Sequence, residues 1–183
     1  MAIGGVRTAV IPVAGPGTRF LPVTKAVPKE MLPIVDRPCI AYIVSEAVAA
    51  GIERIVFVTS RGKDALVDYF DRSPALEAHL ESAGKGEQLQ MVLDAARMAE
   101  VVCVRQNEAL GLGHAVLTAR PAIADEPFAV LLGDDIIDAP VPAIQQLIEA
   151  RTQTEDSVVA LMEVPREETR RYGVCAGPWL EPT

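Results

Sequence analysis

Three cationic side chains follow two closely spaced glycines near the beginning of the chain. The glycines are Gly15 and Gly17, the cations are Arg19, Lys25 and Lys29, and no acidic residue separates them. Glycine allows the backbone to turn sharply and to approach a ligand closely. The N–H groups of such a loop can bind phosphate oxygens. The combination predicts a binding site for a polyphosphate.

The alternative interpretation is an ordinary turn with a solvated basic flank. Prolines and glycines among the cations make that segment a poor helix surface, which argues against it. A Walker P-loop is excluded because no Gly-Lys-Ser/Thr follows at the required spacing. A dinucleotide-binding domain of an oxidoreductase is disfavoured, since Arg19 and Phe20 stand where its third glycine should fall.

Two further segments could do chemistry. Gly133-Asp134-Asp135 follows an apolar run, and carboxylates with phosphate oxygens suit Mg²⁺. A Gly-Asp-Asp turn is also common at strand ends without any metal. The segment 105–116 contains Gln106, whose amide can donate to and accept from the edge of a pyrimidine base. Its glycines also fit a simple loop before a helix.

Length and composition restrict the class of protein. The chain has 183 residues, half of them hydrophobic and 23% charged, which is typical of one globular domain. A net charge of −8 argues against a nucleic-acid partner but allows a small anion at a local cluster of cations. No apolar run reaches membrane-spanning length, and no signal-peptide pattern is present, so we predict a cytoplasmic protein with no membrane contact. The three cysteines have no disulfide or zinc spacing.

Alternating elements predict the architecture that must position these residues. Apolar runs predict strands at 8–13, 55–58, 101–104, 127–132 and 157–162. Periodic patterns predict helices at 38–50, 65–70, 73–82, 87–98, 113–120 and 142–151. We therefore predict an α/β fold with an open, mostly parallel, Rossmann-like sheet and helices on both faces. Ligands bind beyond the carboxyl ends of the strands in such sheets, which is where all three segments fall.

Two ordered stretches point to a family. Gly-Pro-Gly-Thr-Arg-Phe-Leu-Pro at 15–22 and Pro-Lys-Glu-Met-Leu-Pro at 28–33 resemble the sugar-1-phosphate nucleotidyltransferases. Within them, the sequence is most similar to the bacterial UTP–glucose-1-phosphate uridylyltransferases. The resemblance implies the nucleotidyltransferase fold, Mg²⁺ as cofactor, UTP and glucose 1-phosphate as partners, and a homo-oligomer (dimer or tetramer). A thymidylyltransferase or another sugar nucleotidyltransferase is the less favoured member of the same class.

The resemblance also implies roles for individual residues. Arg19 and Lys29 correspond to the catalytic positions that stabilise the triphosphate, and Asp134, with Asp135 as a second candidate, to the metal ligand. The implied sugar-binding residues are Tyr172 and Gly173. The implied nucleotide-binding residues are Ala14, Gly15, Gly17, Thr18, Lys25, Gln106, Gly111 and Gly113.

The sequence departs from the family in two places. Pro16 stands where a leucine is common and removes one backbone donor from the loop. The resemblance ends near residue 174, so we expect residues 1–183 to form a single nucleotide-binding domain without the family's C-terminal sugar-binding part. Such a chain is expected to bind UTP with little turnover, and a non-catalytic nucleotide-binding module or partner subunit is the alternative.

Overall fold

Four parallel strands form the central sheet of the computed structural model, which describes residues 3–123, 125–154 and 156–177. The strands are β1 (Thr8–Pro12), β4 (Arg54–Thr59), β5 (Glu100–Arg105) and β6 (Phe128–Val130). Their order across the sheet is β5-β4-β1-β6. A separate antiparallel pair, β2 (Pro33–Ile34) and β3 (Arg37–Pro38), lies in the loop after β1. The parallel, open sheet predicted from the sequence is confirmed.

Alternate side chains of the central strands enter two different cores, because successive residues of a strand point to opposite faces. Ile11 of β1 and Phe57 of β4 pair in register and belong to the larger core. Val10 and Val56 pair one position earlier and belong to the smaller core on the other face. All four side chains are fully buried, which explains why these strands are continuous apolar runs.

The helices cover both faces of the sheet, as predicted. They are α1 (Cys39–Ala49), α2 (Asp64–Phe70), α3 (Pro74–Ser82), α4 (Gly86–Ala96), α5 (Leu112–Thr118) and α6 (Ala143–Thr154). The larger core receives apolar side chains from α1, α2 and α6, whereas α5 packs on the other face. Gly51, just after α1, has a φ of 89° and ends that helix as the sequence predicts.

The predicted fifth strand at 157–162 is wrong. Within the described part of the chain, residues 156–165 form no regular secondary structure. Val159 is 71% exposed and Leu161 is 69% exposed, so the apolar run that suggested a strand is not buried. A strand requires hydrogen bonds to a neighbouring strand, and apolar composition alone does not supply them.

The other predicted elements lie within a few residues of the observed ones. The strand predicted at 127–132 is shorter, and the helix predicted at 113–120 begins one residue earlier and ends at Thr118. None of the helices in the described ranges is both long and apolar enough to cross a bilayer.

Candidate functional site

The three segments singled out in the sequence lie at the carboxyl edge of the sheet. The glycine loop follows β1, Asp134 follows β6, and Gln106 follows β5. The chain runs from β1 to β4 and β5 on one side and then returns to β6 on the other. The point between β1 and β6 is therefore a topological switch point, where open α/β sheets form a ligand-binding crevice.

Lys29 and Asp134 meet at this switch point although 105 residues separate them. Lys29 Nζ lies 2.7 Å from Asp134 Oδ2. The side chain of Lys29 is 20% exposed and that of Asp134 is 49% exposed, so the pair can be reached from solvent. The predicted phosphate-binding cation and the predicted metal ligand are thus brought together.

The glycine loop lies directly against the side chain of Lys29. Gly17 has a φ of 68°, and its carbonyl accepts a hydrogen bond of 2.8 Å from Thr24 Oγ1. A Cβ on Gly17 would lie 3.1 Å from Lys29 Cβ and 3.2 Å from Thr24 Cγ2. A Cβ on Gly15 would lie 3.9 Å from Lys29 Cε. Glycine at position 17 is therefore needed both for its backbone conformation and for the space that Lys29 occupies.

Replacing Gly17 by alanine is expected to strain the loop and displace Lys29. The positive φ alone should lower the free energy of unfolding by about 1–2 kcal/mol. Gly84 is a matched control, because it has the same φ of 68° but nothing lies within 4 Å of its Cβ position. Urea unfolding and calorimetric titration with Mg–UTP measure the two effects. Only Gly17→Ala should weaken nucleotide binding, and unchanged binding by that variant would contradict this view of the loop.

The remaining cations and loop residues are less constrained. Arg19 and Lys25 lie in two short 3₁₀ turns, Thr18–Phe20 and Val23–Lys25, and both side chains are exposed. Neither forms an ion pair with any described residue. Thr18 is exposed beside Arg19. The carbonyl of Ala14 accepts a hydrogen bond of 3.0 Å from Ser60 Oγ, which ties the start of the loop to the end of β4.

A buried ion pair that was not predicted from the sequence lies beneath the site. Glu30 is fully buried, and its Oε2 lies 2.7 Å from Nζ of Lys63, which is also buried. Glu30 Oε1 has no hydrogen-bond partner among the described residues. A Cβ on Gly133 would lie 3.4 Å from Glu30 Cγ, so this pair supports the turns that carry both Lys29 and Asp134. The one sign of this pair in the sequence was Glu30 itself, a carboxylate within an otherwise apolar and basic motif.

Cys39 lies next to the same turn but does not provide a nucleophile. Its Sγ is 3.7 Å from the carbonyl oxygen of Gly133. Partial burial raises the pKa of the Cys39 thiol, the carboxylates of Asp134 and Glu30 raise it further, and Lys29 opposes them. The group therefore stays a neutral thiol at physiological pH.

Gln106 is buried and already forms hydrogen bonds within the protein. Its Nε2 lies 2.9 Å from His114 Nδ1 and 3.4 Å from the carbonyl oxygen of Gly111. Gly111 has a φ of 97°, which explains a glycine before α5, whereas nothing lies within 4 Å of a Cβ at Gly113. His114 had no predicted role in this segment.

Three predicted site residues are not joined to this arrangement. Asp135 is exposed and forms no ion pair with the described residues, in contrast to Asp134. Tyr172 and Gly173 are exposed, and no side-chain hydrogen bond connects them to the glycine loop, Lys29 or Gln106 in the described ranges. Those ranges also contain no cluster of three or more metal-binding side chains.

The fold and the site place the chain in a known class. The chain belongs to the Nucleotidyl transferase family, whose profile matches residues 8–177. A protein of Bacillus subtilis (strain 168) named UTP–glucose-1-phosphate uridylyltransferase is 56% identical over 169 residues, which are 92% of this chain and 58% of that protein. The chain therefore spans little more than half the length of this relative.

Solved structures show the same similarity in three dimensions. A UDP-glucose pyrophosphorylase complexed with UDP-glucose matches with a TM-score of 0.82 at 42% identity, covering 97% of this chain and 65% of that one. A UTP-bound enzyme of this kind from Acinetobacter baumannii matches with a TM-score of 0.74 at 42% identity, covering 82% of this chain and 54% of that one. Both support the nucleotidyltransferase fold expected from the sequence.

Proposed function

We propose that the protein binds UTP and serves the transfer of a uridylyl group from UTP to glucose 1-phosphate, which gives UDP-glucose and pyrophosphate, with little turnover by residues 1–183 alone. The observation that carries this proposal is the meeting of Lys29 and Asp134 over the glycine loop at the switch point of the sheet. The similarity to proteins named for UDP-glucose synthesis, two of them solved with UTP or UDP-glucose, supports the choice of substrates.

The proposed reaction is an in-line displacement at phosphorus. A phosphate oxygen of glucose 1-phosphate attacks the α-phosphorus of UTP, the bond from that phosphorus to the oxygen bridging to the β-phosphate breaks, and pyrophosphate leaves. Such a reaction needs positioning and neutralisation of charge rather than a covalent catalyst. Lys29 and Arg19 supply positive charge to the triphosphate, and the N–H groups around Gly15 and Gly17 bind its oxygens.

Mg²⁺ fits the donors that the site offers. Asp134 presents a half-exposed carboxylate beside the proposed triphosphate site. Mg²⁺ commonly binds one or two carboxylates and takes its other ligands from phosphates and water, so a larger protein cluster is not required. We propose Asp134 as the ligand, with Asp135 as a second candidate. When bound, the ion would neutralise charge that develops on the phosphate oxygens.

The remaining predicted residues are proposed to contact the base and the sugar. Gln106 would bind the edge of the uracil base, with Gly111 and Gly113 allowing the base to lie near the backbone. Tyr172 and Gly173 would contact the sugar. We propose that the 183 residues act as one nucleotide-binding domain, which is supported by the single continuous sheet of β1, β4, β5 and β6 that bears the loops with the proposed nucleotide-binding residues.

Competitive calorimetry tests the proposal on the 183-residue protein. With Mg²⁺ present, UTP should bind more tightly than ATP or GTP, because the segment around Gln106 is expected to fit a pyrimidine. Equal or tighter binding of purine nucleotides would contradict it. Pyrophosphate release from UTP and glucose 1-phosphate, measured on the same sample, distinguishes a transferase from a non-catalytic nucleotide-binding module. Titration with dTTP tests the thymidylyltransferase alternative.

A further inference from the structure

The side-chain amide of Gln106 has a fixed orientation. Gln106 is 8% exposed, and its NH₂ group faces two atoms, the carbonyl oxygen of Gly111 at 3.4 Å and His114 Nδ1 at 2.9 Å. A carbonyl oxygen can only accept a hydrogen bond, so the NH₂ group, and not Oε1, must face Gly111. The same NH₂ group therefore donates its other hydrogen to His114.

This arrangement defines the state of the His114 ring. Since Gln106 donates to Nδ1, that nitrogen must be unprotonated, and the proton of the neutral imidazole is on Nε2. The ring thus acts as a hydrogen-bond acceptor on the amide. His114 is the third residue of α5, and the helix holds its ring against Gln106, the residue that follows β5.

The opposite end of the amide is left for a ligand. No hydrogen bond to Gln106 Oε1 forms within residues 3–123, 125–154 and 156–177. Unlike Glu30 Oε1, this oxygen is not completely buried, so part of its surface can be reached from outside the protein. The site therefore presents an acceptor, and not a donor, at the carboxyl end of β5.

We propose that His114 is a specificity-determining positioning residue, which directs Gln106 Oε1 toward the base and so selects uracil over cytosine. The proposal rests on the proposed function, in which Gln106 contacts the base. Uracil carries N–H at N3 and can donate to Oε1, whereas N3 of cytosine is an acceptor and would oppose it. Without an acceptor at position 114, only the longer contact to the Gly111 carbonyl, at 3.4 Å, opposes a half-turn of the amide that would present its NH₂ group to cytosine.

Dissociation constants for UTP and CTP, measured by calorimetry with Mg²⁺, test this role through their ratio. His114→Ala removes the acceptor and should reduce the preference for UTP by about tenfold or more. His114→Asp restores a side chain that can only accept at neutral pH, and it should retain most of the preference. The negative charge of the new aspartate should weaken UTP and CTP binding equally, so this effect cancels in the ratio of the two dissociation constants. His79→Ala, at the chain's only other histidine, on α3, is the matched control and should change nothing.

The outcomes separate this inference from the proposed function. If the unmodified protein binds no pyrimidine nucleotide better than ATP or GTP, the proposed function is wrong. If it prefers UTP over purine nucleotides and His114→Ala leaves the UTP-to-CTP ratio unchanged, only the role of His114 is wrong. A two-bond ¹H–¹⁵N correlation spectrum gives a readout independent of ligands. It should show His114 with Nε2 protonated, and the opposite tautomer would overturn the proposal.

Discussion

Lys29→Met is expected to weaken the binding of Mg–UTP by about 10- to 100-fold. Methionine keeps the aliphatic part of the side chain that packs along Gly15 and Gly17 but removes the ammonium group. One charge-assisted hydrogen bond to a phosphate contributes roughly 1.5–3 kcal/mol, and each 1.4 kcal/mol corresponds to about a factor of ten in affinity. Calorimetric titration with UTP at constant Mg²⁺ and ionic strength measures the loss.

The same variant should have the opposite effect on a metal ion offered alone. Lys29 neutralises Asp134 at 2.7 Å in the free protein, so a divalent cation must compete with it. Removing the ammonium group should tighten binding of Mn²⁺, used as a spectroscopic substitute for Mg²⁺, by about two- to fivefold, the scale of a partly exposed ion pair. Electron paramagnetic resonance of free Mn²⁺ measures this change without nucleotide.

Lys85→Met provides the control for both measurements. Lys85 is exposed just before α4, and it belongs to no ion pair formed by the described residues. Its loss changes the net charge by the same amount but should leave both affinities nearly unchanged. If Lys29→Met and Lys85→Met weaken UTP equally, Lys29 does not contact the triphosphate and the change reflects overall charge alone.

Lys63→Met is expected to lower the free energy of unfolding by about 3–5 kcal/mol. The substitution leaves the carboxylate of Glu30 fully buried with no cation beside it, and Oε1 already lacks a partner among the described residues. A buried unpaired charge is among the most destabilising changes available in a small domain. Urea unfolding followed by circular dichroism measures the loss.

Two further variants show whether burial of the Glu30 charge causes the loss of stability in Lys63→Met. Arg7→Met breaks the ion pair with Glu53, in which both side chains are more than half exposed, at 60% and 53%, and it should cost at most about 1 kcal/mol. The double variant Glu30→Leu with Lys63→Met removes both charges and should recover most of the stability, since apolar pairs often replace buried ion pairs without loss. A double variant as unstable as Lys63→Met would show that the pair contributes through its shape and not through its charges.

Local patterns in the sequence predicted most of the architecture. Strands β1 and β4 are continuous apolar runs because both of their faces are buried, and a helix between them requires a parallel crossover. The run at 157–162 is similarly apolar but forms no strand. Apolar composition does not show whether a neighbouring strand is available for pairing. Its exposed Val159 and Leu161 mark the limit of prediction from pattern alone.

The candidate site also has features that the sequence predicted and a contact that only the tertiary structure shows. The glycine loop with its cations and the aspartate after β6 were predicted as separate segments because glycine conformation, charge and strand ends are local properties of the chain. The contact between Lys29 and Asp134 depends on the order of the strands in the sheet. In that order β6, which comes after β4 and β5 in the chain, lies directly beside β1. No local signal in the sequence encodes that order.

The sequence by itself determined the type of sheet, the polyphosphate loop and the family resemblance. Only the tertiary structure decided which side chains support them. Glu30 and Lys63 look like ordinary solvated charges in the sequence, and burial makes them a pair beneath the site. His114 gains its role from α5 placing its ring 2.9 Å from Gln106. Burial depends on residues distant in the chain, and the hydrogen bond between Gln106 and His114 depends on how α5 is oriented after its loop, so only the folded protein fixes them.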